Sequence, residues 1–200
     1  IGYEALAWGR HVNDHRDAWA LVRDVDHPAL GLVLDSFHSL ARGIPSSSIG
    51  DIRPEKLFIV QVADAPVLEM DHLSWSRHFR SMPGQGEFPL DDWADAIRRI
   101  GYEGYWSLEI FNDRFRAGSA TSVALDGYRS LKILEGGITK PSGFQTDMPP
   151  RVTTSGIEFI EFAASHEEAD ALETMLRPLG FRPVSRHRSK DVTRWKQGPI

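Results

Sequence analysis

The segment LGLVLDSFHSLARG, residues Leu30–Gly43, joins a short apolar run to a carboxylate and an imidazole. Leu30 to Leu34 are all apolar or glycine, Asp35 follows directly, and His38 comes three positions later. An uninterrupted apolar run of this length suits a strand that is buried on both faces of a parallel sheet. The carboxyl ends of such strands form the active-site face of parallel α/β proteins. The segment therefore predicts an α/β fold with polar chemistry where its strands end.

Three more apolar runs and three helical patterns surround this segment. The runs are IGYEALA (1–7), LFIVQVAD (57–64) and GYWSLEIF (104–111). The helical patterns are DHRDAWALVRDV (14–25), PLDDWADAIRRIG (89–101) and SATSVALDGYRSLKILEGG (119–137). Strands that alternate with helices predict βα units around a parallel sheet.

The first two helical patterns carry specific expectations about burial and capping. One side of the first helix is expected to be buried, and it consists of Ala18, Leu21, Val22 and Val25. In the second helix, Asp91 is a candidate N-cap and Gly101 a candidate C-cap.

The amino-acid composition of the chain changes after Gly137. The stretch ITKPSGFQTDMPPRVTTS carries three prolines among small polar residues, which is typical of an interdomain linker. We therefore predict a first domain at 1–137, a linker at 138–153 and the start of a second domain at 154–200. In that second domain GIEFIEFAA alternates like a strand, SHEEADALETMLRPLG is helical, and FRPVSRHR and VTRWKQGPI are further predicted strands.

Composition restricts the classes of function. The 200 residues are 41% apolar and 26% charged with a net charge of -5, which argues against a non-specific nucleic-acid binder. Cysteine is absent, so disulfides, cysteine–zinc sites and a thiol nucleophile are excluded. The sequence has neither a stretch of about 18 apolar residues nor a signal peptide, so we predict no membrane partner and a cytoplasmic location. It begins without Met and within a predicted strand, and we interpret it as a piece of a longer protein.

Each apolar run carries an oxygen ligand at or near its C-terminal end. These residues are Glu4, Asp35, Gln61 and Glu109. Three carboxylates and an amide that converge on one point would repel one another unless a cation lay among them. Hard oxygen ligands favour Mg²⁺ or Mn²⁺. A single strand-end carboxylate is often only a helix cap, but the repetition at four strands favours a metal site that His38 could also reach.

The stretch from Ala65 to Leu90 is long for a connection within a compact domain, and long loops are often functional. It includes Arg80 and the flexible PGQGE segment. Arginine can bind a substrate carboxylate through two parallel hydrogen bonds. The competing interpretation is a solvated loop whose arginines form surface ion pairs.

Five motifs together resemble the bacterial 3-dehydroshikimate dehydratases, a group within the xylose-isomerase-like TIM barrels. They are YEALAWGRHVND, LDSFH, VQVAD, HFRSMPGQGEFPL and WSLEIFND. The resemblance covers about residues 1–137 and implies the C-terminal half of a TIM (β/α)8 barrel. The tail GIEFIEFAASHEEADALETMLRPLGF resembles 4-hydroxyphenylpyruvate dioxygenase-like domains. It implies the start of a vicinal-oxygen-chelate-like βαβββ module, which some bacterial dehydratases carry fused to the barrel.

The resemblance also implies a reaction and roles for individual residues. The reaction is dehydration of 3-dehydroshikimate to protocatechuate, in quinate and shikimate catabolism, with Mg²⁺ or Mn²⁺ as cofactor. The metal ligands would be Glu4, Asp35, Gln61 and Glu109. His38 would be the base or its orienter, His11 is a second catalytic candidate, and Arg80 would bind the substrate carboxylate.

Two other functions stay open at this point. The first is a sugar or hydroxy-ketoacid isomerase or epimerase on the same barrel, which would share the metal ligands but need groups that bind a polyol. The second is a non-catalytic fragment. A DNA endonuclease is disfavoured because the strand ends offer one histidine and the chain lacks a basic face. The expected partner is a small-molecule substrate, with neither nucleic acid nor membrane, and a homo-oligomer is possible.

Overall fold

The structure is a computed structural model that describes residues 1–137 and 153–199. The chain divides into two compact units, Ile1–Pro149 and Pro150–Ile200. The predicted linker, 138–153, lies outside the described residues except at its last position. The three predicted domain ranges therefore stay a prediction.

Four parallel strands form the centre of the first unit and pair in chain order. They are β1 (Gly2–Glu4), β2 (Gly31–Asp35), β3 (Leu57–Val62) and β4 (Trp106–Leu108). In the register, Glu4 lies opposite Val33, and Asp35 lies opposite Gln61. Because all the strands run in one direction, their C-terminal ends meet at one edge of the sheet. The predicted α/β fold with a parallel sheet is confirmed.

Six α-helices accompany these strands within residues 1–137. They are α1 (His15–Val25), α2 (Ser36–Leu40), α3 (His72–His78), α4 (Leu90–Arg99), α5 (Asp113–Ala117) and α6 (Ala120–Gly137). The sequence pattern predicted α1, α4 and α6. It missed α2, α3 and α5, which have five to seven residues and too few turns to show a 3.6-residue period. The stretch from Ala65 to Leu90 is thus no uniform loop, because it contains α3.

Two predicted details of the helices need correction. Helix α1 buries His15, Ala18, Trp19 and Val22, whereas Leu21 and Val25 are exposed. Compared with the predicted side, the buried side of the helix is therefore rotated toward His15 and Trp19. Helix α4 has Pro89 rather than Asp91 at its N-cap. Proline fits there because the helix uses only the carbonyl of its N-cap residue, which accepts from the Trp93 N–H at 3.3 Å, and Asp91 instead places its negative charge in the first turn. Gly101, with φ +82°, follows the C-cap Ile100.

The core of the first unit lies between the sheet and helices α1 and α4. Its fully buried members include Val22, Leu32, Val60, Trp93 and Ile97. A smaller aromatic cluster around Phe37, Trp75 and Phe88 lies beside α2 and α3. The two clusters hold the strand ends and the short helices that follow them in fixed positions.

The second unit contains helix α7 (His166–Leu176) and an antiparallel pair, β5 (Arg182–Arg186) and β6 (Thr193–Lys196). A capping box between Ser165 and Glu168 begins α7. The predicted strand in GIEFIEFAA is wrong for the described structure, because these residues belong to no ladder. Among the described residues, β5 and β6 pair only with each other, and a strand needs a neighbouring backbone to accept its hydrogen bonds. Over the described parts of the chain, no helix is long and apolar enough to cross a membrane.

Candidate active site at the strand ends

Asp35 both begins a helix and contributes to the polar cluster at the strand ends. It is the last residue of β2 and the N-cap of α2, and its Oδ1 accepts hydrogen bonds from the backbone N–H of Phe37 (2.6 Å) and His38 (3.4 Å). Its Oδ2 accepts from Arg80 Nη1 at 2.7 Å. His38 therefore lies within α2, and the cap fixes it against the carboxylate.

Arg80 is fully buried among the candidate metal ligands, not on an exposed loop. Its Nη1 also donates to Glu109 Oε2 at 2.9 Å and to the Glu109 carbonyl at 3.1 Å. Its Nε and Nη2 donate to Ser76 Oγ at 3.1 and 2.8 Å. The guanidinium carbon lies 4.7 Å from the centre of the Phe37 ring and 5.2 Å from that of Phe111. Every nitrogen of the guanidinium thus has a partner within the protein.

The other predicted ligands join the same cluster. Gln61 Nε2 donates to Glu109 Oε1 at 3.0 Å. Glu4 Oε1 lies 3.6 Å from His38 Nε2, and Glu4, Asp35 and His38 can each direct one ligand atom to within 4.8 Å of the others. The structure thus brings the four predicted metal ligands together with His38 and Arg80. Coordination of an ion by the four stays a prediction.

Burial and crowding change the pKa values of these groups. Burial, together with the nearby charges of Asp35 and Glu109, raises the pKa of Glu4 to about 8, although Arg80 opposes the rise. Burial and the interaction with Asp35 raise the pKa of Glu109 to about 7. Burial alone would raise the pKa of Asp35, but Arg80 and His38 lower it below its usual value. Burial lowers the pKa of His38 to about 4.

The side chains fit a divalent cation on chemical grounds. Glu4 Oε1 and Gln61 Oε1 are buried oxygens without a hydrogen-bond partner within the described structure. Buried acceptors of this kind are rare unless water or an ion satisfies them. Burial is the main cause of the raised pKa values of Glu4 and Glu109, and the neighbouring carboxylates raise these pKa values further. A divalent cation would give the unpaired oxygens a partner and would favour the charged form of both carboxyl groups.

Two N–H donors are aimed at the two ring nitrogens of His38. The backbone N–H of the buried Ala7 lies 3.3 Å from Nδ1, and Arg80 Nη2 lies 3.3 Å from Nε2. A neutral imidazole has one unprotonated nitrogen and can accept only one of these hydrogen bonds, so the other contact brings two donors together. The edge of the Trp8 ring system, with its centre 4.8 Å away, helps to fix the imidazole.

One predicted catalytic residue is not brought into this cluster. His11 is exposed on the connection between β1 and α1, and none of the described hydrogen bonds or ion pairs joins it to the strand-end residues. Conversely, the sequence prediction overlooked Ser76, which anchors Arg80. Ser76 lies on α3, whereas Arg80 lies two residues beyond the end of that helix, so the helical i,i+4 spacing does not apply to this pair and the sequence carries no signal for the contact.

The fold and site define a class of protein. A parallel sheet gathers carboxylates, an amide and a histidine at the C-terminal ends of its strands, as in α/β barrels with a strand-end site that can hold a divalent cation. The chain belongs to the xylose isomerase-like TIM barrel family, whose sequence model matches residues 1–134. Residues 149–200 match the N-terminal domain model of hydroxyphenylpyruvate dioxygenase.

Two curated relatives show how far the similarity extends. A 3-dehydroshikimate dehydratase of Pseudomonas putida is 48% identical over 209 residues, which cover all of this chain and 33% of the relative. An inosose isomerase of Bacillus subtilis is 33% identical over 104 residues, which cover 52% of this chain and 37% of the relative. The chain thus spans about a third of the length of these two proteins.

Two solved structures are similar to the fold. A xylose isomerase-like TIM barrel/4-hydroxyphenylpyruvate dioxygenase fusion protein has a TM-score of 0.81 and 48% identity, covering 100% of this chain and 34% of that one. The IolI protein, crystallised with a bound zinc atom, has a TM-score of 0.63 and 25% identity, covering 70% of this chain and 50% of that one. Both parts of the resemblance stated above, the TIM barrel and the dioxygenase-like module, are therefore confirmed.

Proposed function

We propose that this chain forms part of a 3-dehydroshikimate dehydratase, which converts its substrate to protocatechuate and water within quinate and shikimate catabolism. The observation that carries the proposal is the 48% identity to the Pseudomonas putida dehydratase over the whole chain. That match runs through the barrel residues and the second unit alike. The similarity to the inosose isomerase covers only 52% of the chain.

The proposed cofactor is a divalent cation, Mg²⁺ or Mn²⁺. Glu4, Asp35, Gln61 and Glu109 would hold it, because two of their buried oxygens lack partners and all four ligands are hard oxygen donors. The zinc atom bound in the similar IolI structure supports a divalent ion as the cofactor. When bound, the ion would supply positive charge to the ketone oxygen of the substrate, where negative charge develops as the neighbouring proton leaves.

We propose that His38 acts as a hydrogen-bond donor rather than as the base. In the tautomer that accepts the Ala7 N–H at Nδ1, the Nε2–H group faces the site. A neutral imidazole with a lowered pKa can donate to a substrate oxygen but has no free lone pair on Nε2 with which to remove a proton. The C–H next to the substrate ketone would then become more acidic because the negative charge that develops on the ketone oxygen is stabilised. His11 stays the second predicted catalytic residue.

Arg80 stays the predicted substrate-binding residue, with a narrower role. Its Nη1 is occupied by Asp35 and Glu109, which leaves Nη2 as the part of the guanidinium that faces His38 Nε2. A substrate oxygen placed near these two nitrogens would accept from both donors and remove the unfavourable donor–donor contact. This arrangement favours binding of a single substrate oxygen by Arg80 over bidentate binding of a substrate carboxylate.

The alternative function is an isomerase or epimerase, and the inosose isomerase similarity supports it. A direct assay separates the two. The natural full-length protein, stripped of metal and resupplied with Mg²⁺ or Mn²⁺, is incubated with 3-dehydroshikimate or with an inosose. We expect protocatechuate absorbance from the first and no isomer from the second.

Isomerised inosose without protocatechuate would replace our proposal with the alternative. Turnover of neither compound would favour a non-catalytic role. A homo-oligomer, a cytoplasmic location and independence from nucleic acid and membrane also stay predictions, which size-exclusion chromatography and cell fractionation would test.

A further inference from the structure

Asp64 is a buried carboxylate that neither the metal site nor the proposed reaction uses. It lies just past the end of β3 and is 2% exposed. None of the ion pairs in the described residues includes it. A buried carboxylate without a cationic partner needs other strong donors.

Those donors are four backbone N–H groups. Oδ1 accepts from Ala65 at 2.8 Å and Phe88 at 3.1 Å, and Oδ2 accepts from Gly84 and Gly86, both at 3.0 Å. Three of the four donors belong to the segment 82–88, which follows directly after Arg80 and Ser81. The carboxylate therefore holds the segment 82–88 in a curve around itself.

The same residue is tied to the segment through its backbone. The Asp64 N–H donates to the Ser81 carbonyl at 2.9 Å, and the Ser81 N–H donates to the Asp64 carbonyl at 2.7 Å. On the other side, the Arg80 N–H donates to the Phe111 carbonyl, and Asn112 Nδ2 donates to the Arg80 carbonyl. The backbone of Arg80 is thus held between the residues that follow β3 and those that follow β4.

The approach of the segment to the carboxylate is close enough to require glycine. A Cβ on Gly86 would lie 2.3 Å from Asp64 Oδ1 and 2.5 Å from the backbone of Ala65. Because Ala65 is fixed backbone, a side chain at position 86 would push the segment away from Asp64. This gives a way to disturb the contact without changing charge.

We propose that Asp64 is a positioning residue, which fixes Arg80 among Asp35, Glu109 and His38 by holding the segment 82–88 with its carboxylate. The catalytic part of this inference rests on the proposed function. A carboxamide could not replace the carboxylate, because its NH₂ group would face two of the backbone N–H donors.

The test uses the natural full-length protein with Asp64→Asn and, as a second variant without charge change, Gly86→Ala. The control is Asp14→Asn, which alters the N-cap of α1 outside the site. Hydrogen exchange followed by mass spectrometry should show at least about 10-fold faster exchange at 82–88 in both variants and normal exchange in the control. Unchanged exchange at 82–88 in both variants would overturn the proposal.

A double-mutant cycle with Arg80→Ala separates positioning from general destabilisation. We expect Asp64→Asn to lower kcat/KM roughly 10-fold when Arg80 is present but less than about 3-fold in the Arg80→Ala background. Equal losses in both backgrounds would overturn the proposal. If the wild type has no dehydratase activity, the proposed function fails. The urea midpoints of unfolding of the same four proteins then decide whether Asp64 acts through Arg80.

Discussion

At the scale of single residues, the candidate active site depends on groups that have structural and chemical roles at once. Asp35 caps α2 through one oxygen and binds Arg80 through the other. Ala7 contributes only a backbone N–H, yet that group lies 3.3 Å from His38 Nδ1 and favours the tautomer with the proton on Nε2. Substitutions here therefore change folding and chemistry together, and each test needs a variant that separates the two.

Replacing Arg80 by alanine should destabilise the cation-free protein. The change leaves the buried carboxylates of Asp35 and Glu109 without their guanidinium, and breaking a buried ion pair costs roughly 3 kcal/mol. Urea unfolding with and without Mn²⁺ measures the effect, and saturating Mn²⁺ should recover part of the loss. Arg77→Ala, an exposed arginine on α3, is the control and should change stability by less than about 0.5 kcal/mol. An Arg80→Ala protein as stable as the wild type would show that the pair is unimportant.

Substitutions of His38 should reveal whether it donates a hydrogen bond or removes a proton. Glutamine can place an N–H near the position of Nε2, whereas asparagine is too short and alanine has no donor. We expect His38→Gln to lose about 10-fold in kcat, and His38→Asn and His38→Ala to lose about 10²–10³-fold, the usual effect of removing such a donor. Steady-state kinetics on the three variants decides the role. If glutamine is as poor as alanine, His38 is the base after all.

At the scale of elements, a buried histidine connects two helices and a turn. His15 of α1 contacts Ser39 Oγ of α2 at 3.0 Å, and Ser48 Oγ of the 3-10 turn Ser46–Asp51 at 2.8 Å. Burial lowers its pKa from 6.5 to about 4. In the unfolded chain the imidazole binds a proton below about pH 6.5, but in the folded chain it does so only below about pH 4.

The stabilisation linked to His15 is therefore complete above about pH 6.5 and is lost as pH falls from there toward pH 4. From pH 7 to pH 5 the wild type should lose about 2 kcal/mol more unfolding free energy than His15→Gln, which cannot be protonated. Urea titrations of both proteins at the two pH values provide the comparison. Equal losses would mean that His15 is protonated to the same extent in the folded and unfolded states.

The elements also indicate how far sequence can predict this protein. The four apolar runs predicted the parallel sheet, and convergence of parallel strand ends predicted the grouping of Asp35 with Gln61 and Glu109. The burial of Arg80 was missed, because it depends on how residues 65–90 fold back onto the sheet. The alternation in GIEFIEFAA predicted a strand, but pairing requires a partner backbone that a local pattern does not supply.

At the scale of the whole molecule, the two units differ in how they bury apolar residues. The first unit has a continuous core, whereas every described residue from 153 to 199 is at least partly exposed. Four large apolar side chains lie in one stretch outside the helices and strands and are 61–82% exposed: Ile157, Phe159, Ile160 and Phe162. In the first unit, β1 and β4 each pair with one described strand, so both are edges of the described sheet.

The 200-residue chain expressed by itself should therefore associate. Exposed edges and apolar patches favour pairing with other chains. We expect Phe159→Lys combined with Phe162→Lys to reduce association, and Glu158→Lys combined with Glu161→Lys to serve as a control with lysines in the same stretch but intact apolar residues. Analytical ultracentrifugation measures the effect. A monodisperse, cooperatively unfolding wild-type chain would contradict this prediction.

The central claim is that four strand ends form one divalent-cation site that supports dehydration. The measurement that tests it most directly is a titration of the metal-free natural full-length protein with Mn²⁺, in which bound ion is followed by electron paramagnetic resonance and protocatechuate formation by absorbance. We predict that activity rises in proportion to one tightly bound ion at this site, and that Asp35→Asn and Glu109→Gln weaken binding and activity together. Full activity without a divalent ion, or unchanged Mn²⁺ binding in both variants, would contradict the account.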